Sequence, residues 1–335
     1  MRNFIAFVLI FVCHAGWAQD WEDQRIFEHA NATTTLRIVS STDTDVIAPL
    51  IEAFVAQNPD IAIEYLATGT ADIDRRFRKT PDGFDISVSS AMDLQFKLTN
   101  DGYALKLESI SHPAWAQWRQ SLFAFTSEPA AIVINRAAFK GLPIPRSRQE
   151  LIEALRARPD MFRGRIGTYD VRQSGLGYLF ATQDARASET FWRLMEVMGG
   201  LDARLYCCSG EMIDDLTNGT IVVAYNVLGS YAEARAESQN ILATVLPSDF
   251  PTTMMRTALV SKETDEPAAA RRFIQFLVTY QSSPTDGARA LPPIHDRKNG
   301  SEHATIALEP ALMTFLDTLK RTKFLSEWED ALVQN

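Results

Sequence analysis

A strand–turn–helix pattern repeats three times within residues 36–100 of the chain. Each repeat opens with a short apolar run and continues, after a polar turn, with apolar residues at helical spacing. Strands separated by helices of this size form right-handed βαβ units, whose strands lie side by side in a parallel sheet. The pattern therefore predicts an α/β fold. The strands are expected at Leu36–Val39, Ile61–Tyr65 and Phe84–Val88, and the helices at Val46–Gln57, Asp72–Lys79 and Asp93–Asn100.

Small polar residues fill the turn after each of these strands. The carboxyl ends of parallel strands meet at one edge of the sheet, where helix N-termini present free N–H groups and hydroxyls. The same residue types also cap helices that bind nothing, so capping alone is the alternative for any single turn. Three such turns in succession favour a binding site for a small polar ligand. The predicted ligand residues of these turns are Ser41, Thr42, Thr68, Gly69, Thr70, Ser89 and Ser90.

A second block of alternating elements follows a Pro-rich turn at Pro143 and Pro145. The chain is long enough, and at 46% hydrophobic residues apolar enough, to fill two cores. We expect a first lobe of residues 36–134 and 248–335 and a second lobe of residues 135–247, each a mixed, mostly parallel sheet flanked by helices. The further strands are expected at Phe123–Asn135, Ile166–Asp170, Ile221–Tyr225, Ile241–Leu246 and Ala258–Val260, and the helices at Arg148–Arg158, Ser174–Gln183, Glu189–Met198 and over most of the remaining C-terminal segment.

Residues 1–18 have the pattern of a secretory signal peptide, with Arg2, an apolar core at Phe4–Val12 and a small-x-small cleavage site at Gly16-Trp17-Ala18. The apolar core is shorter than the roughly 20 residues that cross a membrane. We therefore expect an exported, periplasmic protein, with residues 19–35 as a loose N-terminal extension. Loss of Arg2 lowers the formal net charge by one, from -9 to -10. This acidic balance favours neither nucleic acid nor an anionic membrane as a partner.

No local catalytic signature is present. The chain lacks the Gly-x-Ser-x-Gly, His-Glu-x-x-His, Gly-x-x-x-x-Gly-Lys and Gly-x-Gly-x-x-Gly patterns, and its histidines do not pair at metal-ligand spacing. We expect no enzymatic activity, no cofactor and no metal site, with a triad assembled from distant residues as the alternative. Cys207 and Cys208 are adjacent, and so short a loop disfavours a disulfide, so we expect two reduced or partly buried side chains, with a redox-active pair or a soft-metal site as the alternative.

Four segments resemble the extracellular solute-binding proteins of bacterial ABC importers. Phe84–Ser90 is similar to the third strand and ligand turn of that family, and Glu128–Asn135 to its crossover strand. Gly164–Asp170 and Leu246–Asp249 resemble the opening and closing of its second lobe. Within the family, the likeness is to the ferric-iron and organic-phosphate branch, which includes phosphoglycerate-transport regulatory proteins. The resemblance implies a type II two-lobe fold with a cleft between the lobes, and a membrane permease as partner. We expect a monomer that closes by hinges near Ile132–Asn135 and Leu246–Asp249.

The same resemblance bears on whether the ligand is a ferric ion or an anion. It implies that iron-binding members carry two adjacent tyrosines where this chain has Ser230-Tyr231. A serine hydroxyl is a poor substitute for a phenolate, so iron is disfavoured. Gly229-Ser230-Tyr231 instead offers N–H groups and hydroxyls that suit a phosphate or carboxylate. We therefore add Arg172, Ser174, Ser230, Tyr231 and Arg256 to the predicted ligand residues, with surface ion pairs as the alternative for both arginines.

These observations predict a periplasmic solute-binding protein that captures a small anionic solute, an organic phosphate or a carboxylate, for an ABC importer. Three alternatives stay open. The first is a ligand-sensing periplasmic partner of a sensor histidine kinase, the second is a protein that binds a ferric ion or ferric chelate, and the third is an exported enzyme of unknown chemistry.

Overall fold

A computed structural model describes residues 21–234, 240–283, 291–294 and 305–334. The predicted signal segment 1–18 lies outside the described residues. Two β-sheets flanked by helices confirm the mixed α/β prediction. The strands are β1 (Asp23–Phe27), β2 (Thr34–Ser40), β3 (Ile61–Ala67), β4 (Ile86–Ser89), β5 (Gln117–Trp118), β6 (Leu122–Ala124), β7 (Glu128–Asn135), β8 (Ile166–Tyr169), β9 (Arg204–Tyr206), β10 (Val223–Leu228), β11 (Leu242–Val245), β12 (Thr253–Met254) and β13 (Thr257–Val260).

The helices follow the predicted order, with additional short ones between them. None of the described helices combines the length and the apolar character that crossing a bilayer requires. The α-helices are α1 (Thr44–Gln57), α2 (Thr70–Lys79), α3 (Met92–Asn100), α4 (Arg148–Ala157), α5 (Pro159–Phe162), α6 (Gly175–Ala187), α7 (Thr190–Gly199), α8 (Ser209–Asn218), α9 (Gly229–Ala234), α10 (Pro267–Ser282) and α11 (Thr318–Trp328), and shorter helical turns occur at Pro81–Gly83, Ala114–Ala116, Pro310–Leu316 and Glu329–Val333.

The first sheet has the strand order β1-β3-β2-β4-β13-β6-β5. Its centre consists of the three strands that the opening pattern predicts, because β2 pairs in parallel with both β3 and β4. Ser40 at the end of β2 lies opposite Ala67 of β3 and Val88 of β4, so the three polar turns leave the sheet at the same edge. The predicted convergence of the turns is confirmed.

The second sheet has the order β11-β7-β10-β8-β9, and β12 also pairs with β7. Only β8, β9 and β10 pair in parallel, while β7 runs antiparallel to β10, β11 and β12. In the first sheet, β13 is likewise antiparallel to its neighbours. Both sheets are thus mixed, with fewer parallel pairs than predicted. The reason is that β7 and β13 enter from the other sheet and run against the βαβ strands.

The two crossings between the sheets lie at residues 125–127, between β6 and β7, and at residues 255–256, between β12 and β13. We predicted hinges near Ile132–Asn135 and Leu246–Asp249. These segments do not cross: the first is the second half of β7, and the second connects β11 and β12, which both pair with β7. The sequence pattern did not show the first crossing, because the apolar run Phe123–Asn135 reads as one strand although it contains parts of both β6 and β7.

The chain termini also differ from the predicted division. Residues 23–27, expected in a loose extension, form β1 and pair along their full length with β3. Near the other end, Phe324 of α11 stacks on Phe191 of α7, with ring centroids 6.5 Å apart, and Trp328 belongs to the core around the second sheet. Residues 318–328 therefore pack on the second lobe, although residues 248–335 were assigned to the first. An exposed helix pattern does not reveal which lobe buries its aromatic face.

Apolar side chains form one core around each sheet and a third that joins them. Phe54 of α1 meets Phe273 of α10 beside the first sheet, with ring centroids 5.0 Å apart. The joining core combines Ile73 and Phe77 of α2 with Leu176 and Leu179 of α6. Burial of such side chains is worth roughly 1.5–3 kcal/mol each. The two lobes are therefore packed against each other, in a closed arrangement.

Candidate functional site

The polar edges of the two sheets face each other and touch directly. The Oγ1 atom of Thr70, at the start of α2, accepts hydrogen bonds from the backbone N–H groups of Gly175 (2.8 Å) and Leu176 (3.3 Å) at the start of α6. The hydroxyl of Tyr231 donates to Oδ1 of Asp43 at 3.2 Å. These contacts join residues from different lobes, so they exist only while the lobes are closed.

One interlobe cavity, which we call the acidic chamber, has a volume of about 440 Å³ and borders the starts of α1 and α8. Ser41, Thr42, Cys207 and Cys208 contribute to its lining. Burial, followed by repulsion from nearby carboxylates, raises the pKa of Glu22 above its ordinary value. A free anion would meet the same repulsion here. The carboxylates that line the chamber are Glu22, Asp23, Asp43, Asp45, Glu211 and Asp214.

A second interlobe cavity, the basic chamber, also measures about 440 Å³. It lies between α2 and α3 of the first lobe and the segment 171–178 of the second, and Leu316 and Arg321 complete it. Five basic side chains line it against two carboxyl groups. The basic residues are Arg75, Arg78, Lys97, Arg172 and Arg321, and the acidic ones are Asp74 and Asp93.

Arg321 differs from the other four cations of the basic chamber. Those four form ion pairs, Arg75 with Asp72, Arg78 with Asp74 and Asp101, Lys97 with Asp101, and Arg172 with Asp170 and Glu329. Among the described residues, no carboxylate lies within 4.0 Å of the Arg321 guanidinium. The guanidinium instead lies over the ring of Tyr178, 4.3 Å from its centroid. Arg321 therefore presents a charge that an anionic ligand can neutralise.

Asp93 is the second residue of α3 and borders the same chamber. Its side chain is only 2% exposed, and its Oδ1 atom has no hydrogen-bond partner in the described part of the chain. Burial raises the pKa of Asp93 to about 7, against weaker lowering effects of backbone N–H groups and Arg321. The carboxyl group is therefore partly protonated near neutral pH.

A buried network at the crossings holds three of the predicted ligand residues, Thr42, Ser230 and Arg256. Arg256, 0% exposed, donates from Nε and Nη2 to the two carboxylate oxygens of Glu128, at 3.0 and 3.1 Å, and from Nη1 to Oγ1 of Thr42 at 2.6 Å. Ser230 donates to Glu128 at 2.8 Å, and so does Thr126 at 2.7 Å. Burial acts to raise the pKa of Glu128, but the charge of Arg256 and these hydrogen bonds hold it below its ordinary value.

The twelve predicted ligand residues separate into five groups. Ser41 and Thr42 line the acidic chamber, and Arg172 and Ser174 line the basic chamber. Thr70 and Tyr231 make the lobe-to-lobe contacts. Ser230 and Arg256 lie in the buried network, where other protein groups occupy their polar atoms. Thr68, Gly69, Ser89 and Ser90 lie at the edge of the first sheet and line neither chamber.

The capping alternative describes several of these residues. Ser174 Oγ accepts from the N–H of Gly177 and caps α6, and Ser89 Oγ accepts from the N–H of Ala91 just before α3. The ion-pair alternative describes Arg172, whose side chain is 38% exposed and bonded to Asp170. Caps and ion pairs thus account for the polar atoms of these side chains in the closed arrangement.

The expectation for the two cysteines is wrong. Cys207 and Cys208 form a disulfide between adjacent residues, and both line the acidic chamber. A disulfide between neighbouring residues is disfavoured but not forbidden, so the spacing of the two cysteines alone does not decide whether they pair. Glu211 lies one helical turn further on, and its Oε2 atom is 3.5 Å from Cys207 Sγ; the disulfide sulfur carries no proton, so this is a packing contact and not a hydrogen bond.

Three site residues had no signal, or an ambiguous one, in the sequence. Glu22 lies in the segment that we expected to be loose. Asp93 follows a predicted turn, but an acidic residue in the first turn of a helix is ordinarily explained by the helix dipole. Arg321 lies on a C-terminal helix far along the chain, with no motif around it.

A groove of about 550 Å³ between α1 and α10 is larger than either chamber. Gln57, Arg272 and Phe276 are among its lining residues. All of its lining comes from the first lobe, so the groove does not lie between the two lobes. We therefore place the candidate site in the interlobe chambers.

Two α/β lobes whose polar edges face each other across cavities are typical of proteins that hold a solute between two lobes. A solved relative agrees with this class. The substrate-binding protein of an ABC transporter from Agrobacterium tumefaciens is 32% identical, with a TM-score of 0.83 over 92% of this chain and 98% of that one. The chain therefore belongs to the substrate-binding proteins of ABC transporters, as the sequence resemblance predicted. It is a binding protein and not an enzyme.

Two more distant structures share the fold. The periplasmic binding protein AfuA from Actinobacillus pleuropneumoniae, with exogenous fructose-6-phosphate bound, is 12% identical, with a TM-score of 0.71 over 90% of this chain and 99% of that one. Iron-bound HitA from Pseudomonas aeruginosa is 14% identical, with a TM-score of 0.65 over 89% and 99%. At these identities the likeness is one of fold alone. No protein-family model and no curated protein matches the chain.

Proposed function

We propose that the protein is exported to the periplasm and captures a small anionic solute, an organic phosphate or a carboxylate, in the basic chamber. Closure of the lobes around the solute would prepare it for delivery to the permease of an ABC importer. The observation that carries the proposal is Arg321, a cation that borders an interlobe cavity and has no ion-pair partner among the described residues. A guanidinium binds phosphate or carboxylate through two parallel hydrogen bonds, which suits this role.

The volume of the basic chamber supports a solute of modest size. Ligand cavities in proteins range from about 300 to 1,000 Å³, and the chamber measures about 440 Å³. Its lining joins both lobes, since Lys97 belongs to α3 and Tyr178 to α6. A solute bound there would contact both lobes and stabilise their closed arrangement.

The test is a thermal-shift screen of the mature protein against phosphorylated C3 to C6 compounds and the corresponding carboxylates, followed by calorimetric titration of each hit. At a concentration about 100 times its Kd, a ligand adds about 2.7 kcal/mol to the free energy of unfolding, which raises the Tm by several degrees. Arg321→Gln should weaken binding about tenfold or more. Arg193→Gln, at an exposed arginine of α7, is the matched control. Binding of no anion, or equal affinities for the two variants, would contradict the proposal.

The acidic chamber favours a second candidate, a ferric ion or another cationic solute. Its six carboxylates attract positive charge, and the phenol of Tyr231 meets Asp43 beside it. Ser230 weighs against iron, because its hydroxyl donates to Glu128 in the buried network. Ferric citrate and an organic polyamine belong in the same screen. Stabilisation by a cation that Asp43→Asn abolishes, with no response to anions, would favour this candidate.

The choice between transport and signalling concerns the partner rather than the solute. Pull-down with the permease and with a sensor kinase, each with and without the identified solute, separates the two. Solute-dependent capture of the permease alone is the outcome that we expect.

A further inference from the structure

Asp93 lines the basic chamber, and one of its carboxyl oxygens is buried. The side chain is 2% exposed, and Oδ1 has no hydrogen-bond partner among the described residues. Buried polar atoms are almost always hydrogen-bonded, so an unpartnered carboxylate oxygen beside a cavity requires an explanation. A hydrogen-bond donor on a solute in that cavity would supply the missing partner.

Two kinds of donor are common on small solutes, a hydroxyl and an ammonium group. Arg321 lines the same chamber and has no ion-pair partner among the described residues, so its charge would repel an ammonium group there. A hydroxyl carries no charge. Asp93 and Arg321 both line this one cavity of about 440 Å³. One small molecule can therefore reach both side chains.

We propose that Asp93 determines specificity by accepting a hydrogen bond from a solute hydroxyl while Arg321 binds the anionic group of the same solute. The ligand class is then a hydroxylated organic phosphate or a hydroxycarboxylate. An alkyl phosphate or a simple carboxylate would leave Oδ1 buried without a partner. This inference rests on the proposed anion site and narrows it to solutes that carry both groups.

The test uses pairs of ligands that differ only in their hydroxyl groups, namely a glycerophosphate with propyl phosphate, glycerate with propionate, and a hexopyranose 6-phosphate with tetrahydropyran-2-ylmethyl phosphate. Calorimetric titration of the mature protein gives the ratio of Kd values within each pair. Hydrogen bonds to charged groups imply that the hydroxylated member binds about tenfold to hundredfold more tightly. Asp93→Ala should reduce this ratio to near one.

Asp74→Ala is the matched control, because Asp74 also lines the chamber but its carboxylate is bonded to Arg78. It should change the affinities within each pair by the same factor and keep the ratio. Equal affinities within every pair for the wild type, or an unchanged ratio in Asp93→Ala, would overturn the inference. If anions bind and Arg321→Gln weakens them, the proposed function stands in either case. If no anion binds the wild type, both are overturned.

Discussion

Replacement of Asp93 by asparagine should change how the stability of the protein depends on pH. The carboxyl group has an ordinary pKa of 3.8, and burial raises the pKa in the folded protein to about 7. The folded state therefore holds this proton when the unfolded state has already released it. The resulting stability is fully present below about pH 4 and is lost as the pH rises towards 7. Asparagine carries no proton that titrates in this range, so the variant lacks this loss.

The size of the effect follows from the two pKa values. They lie about 3 pH units apart, and each unit corresponds to about 1.4 kcal/mol, so the full loss is about 4 kcal/mol. Between about pH 4.5 and pH 8.5, the free energy of unfolding of the wild type should fall relative to Asp93→Asn by about 3 kcal/mol. The variant can be more or less stable than the wild type at any one pH, because the exchange also alters hydrogen bonding. Only the change of the difference with pH reports the ionisation of Asp93.

Urea unfolding of both proteins at several pH values, without added solute, measures this difference. Asp82→Asn, at an exposed carboxylate of the helical turn Pro81–Gly83, is the matched control and should show a much smaller change. A difference between wild type and Asp93→Asn that stays constant within about 0.5 kcal/mol over this range would refute the assignment of a buried, proton-holding Asp93.

Three further predictions concern the crossings, the lobe contact and the disulfide. Arg256→Met leaves Glu128 as a buried charge without its cation and should lower the free energy of unfolding, measured with urea, by about 3–5 kcal/mol. The double variant with Glu128→Met should recover most of this loss. A double variant that is as unstable as Arg256→Met would contradict the pairing. Thr70→Val removes an acceptor at the α6 N-terminus and should disfavour closure by about 1 kcal/mol, seen as a larger radius of gyration in X-ray scattering; an unchanged radius would count against this contact. Cys207 and Cys208 should react with a thiol reagent only after reduction, and labelling of the untreated protein would exclude the disulfide.

Local pattern predicted most of the regular structure correctly. The expected helix Val46–Gln57 lies within α1, and the run Ile61–Tyr65 is the larger part of β3. These elements are predictable because hydrophobic spacing and helix-starting residues act within a few positions of the chain. The exceptions are elements that exist through their partners. β1 is one of these, because its residues are mostly exposed and it forms a strand through its pairing with β3.

For the candidate site, the sequence allowed a prediction of its position at the edge of the first sheet, but not of the side chains that are available to a ligand. Turns at the ends of parallel strands must meet at one edge, and the structure brings them there because β2, β3 and β4 share a register. Which polar atoms remain available was not predictable. Arg256 looked like a ligand clamp and is engaged by Glu128, which lies 128 positions away along the chain. Asp93 was predicted only as the start of a helix, whereas in the structure it lines the chamber and has a buried oxygen.

The amino-acid sequence by itself therefore determined the α/β elements, the two lobes and the polar edge at which a solute can bind, because these depend on the spacing of apolar residues and on turn chemistry. The tertiary structure alone decided the charge of each chamber, the partners of Arg172, Arg256 and Ser230, and the position of Arg321. The physical reason is that charge and hydrogen bonding at a site depend on atoms within about 4 Å, and the packing of two lobes brings those atoms together from distant parts of the chain.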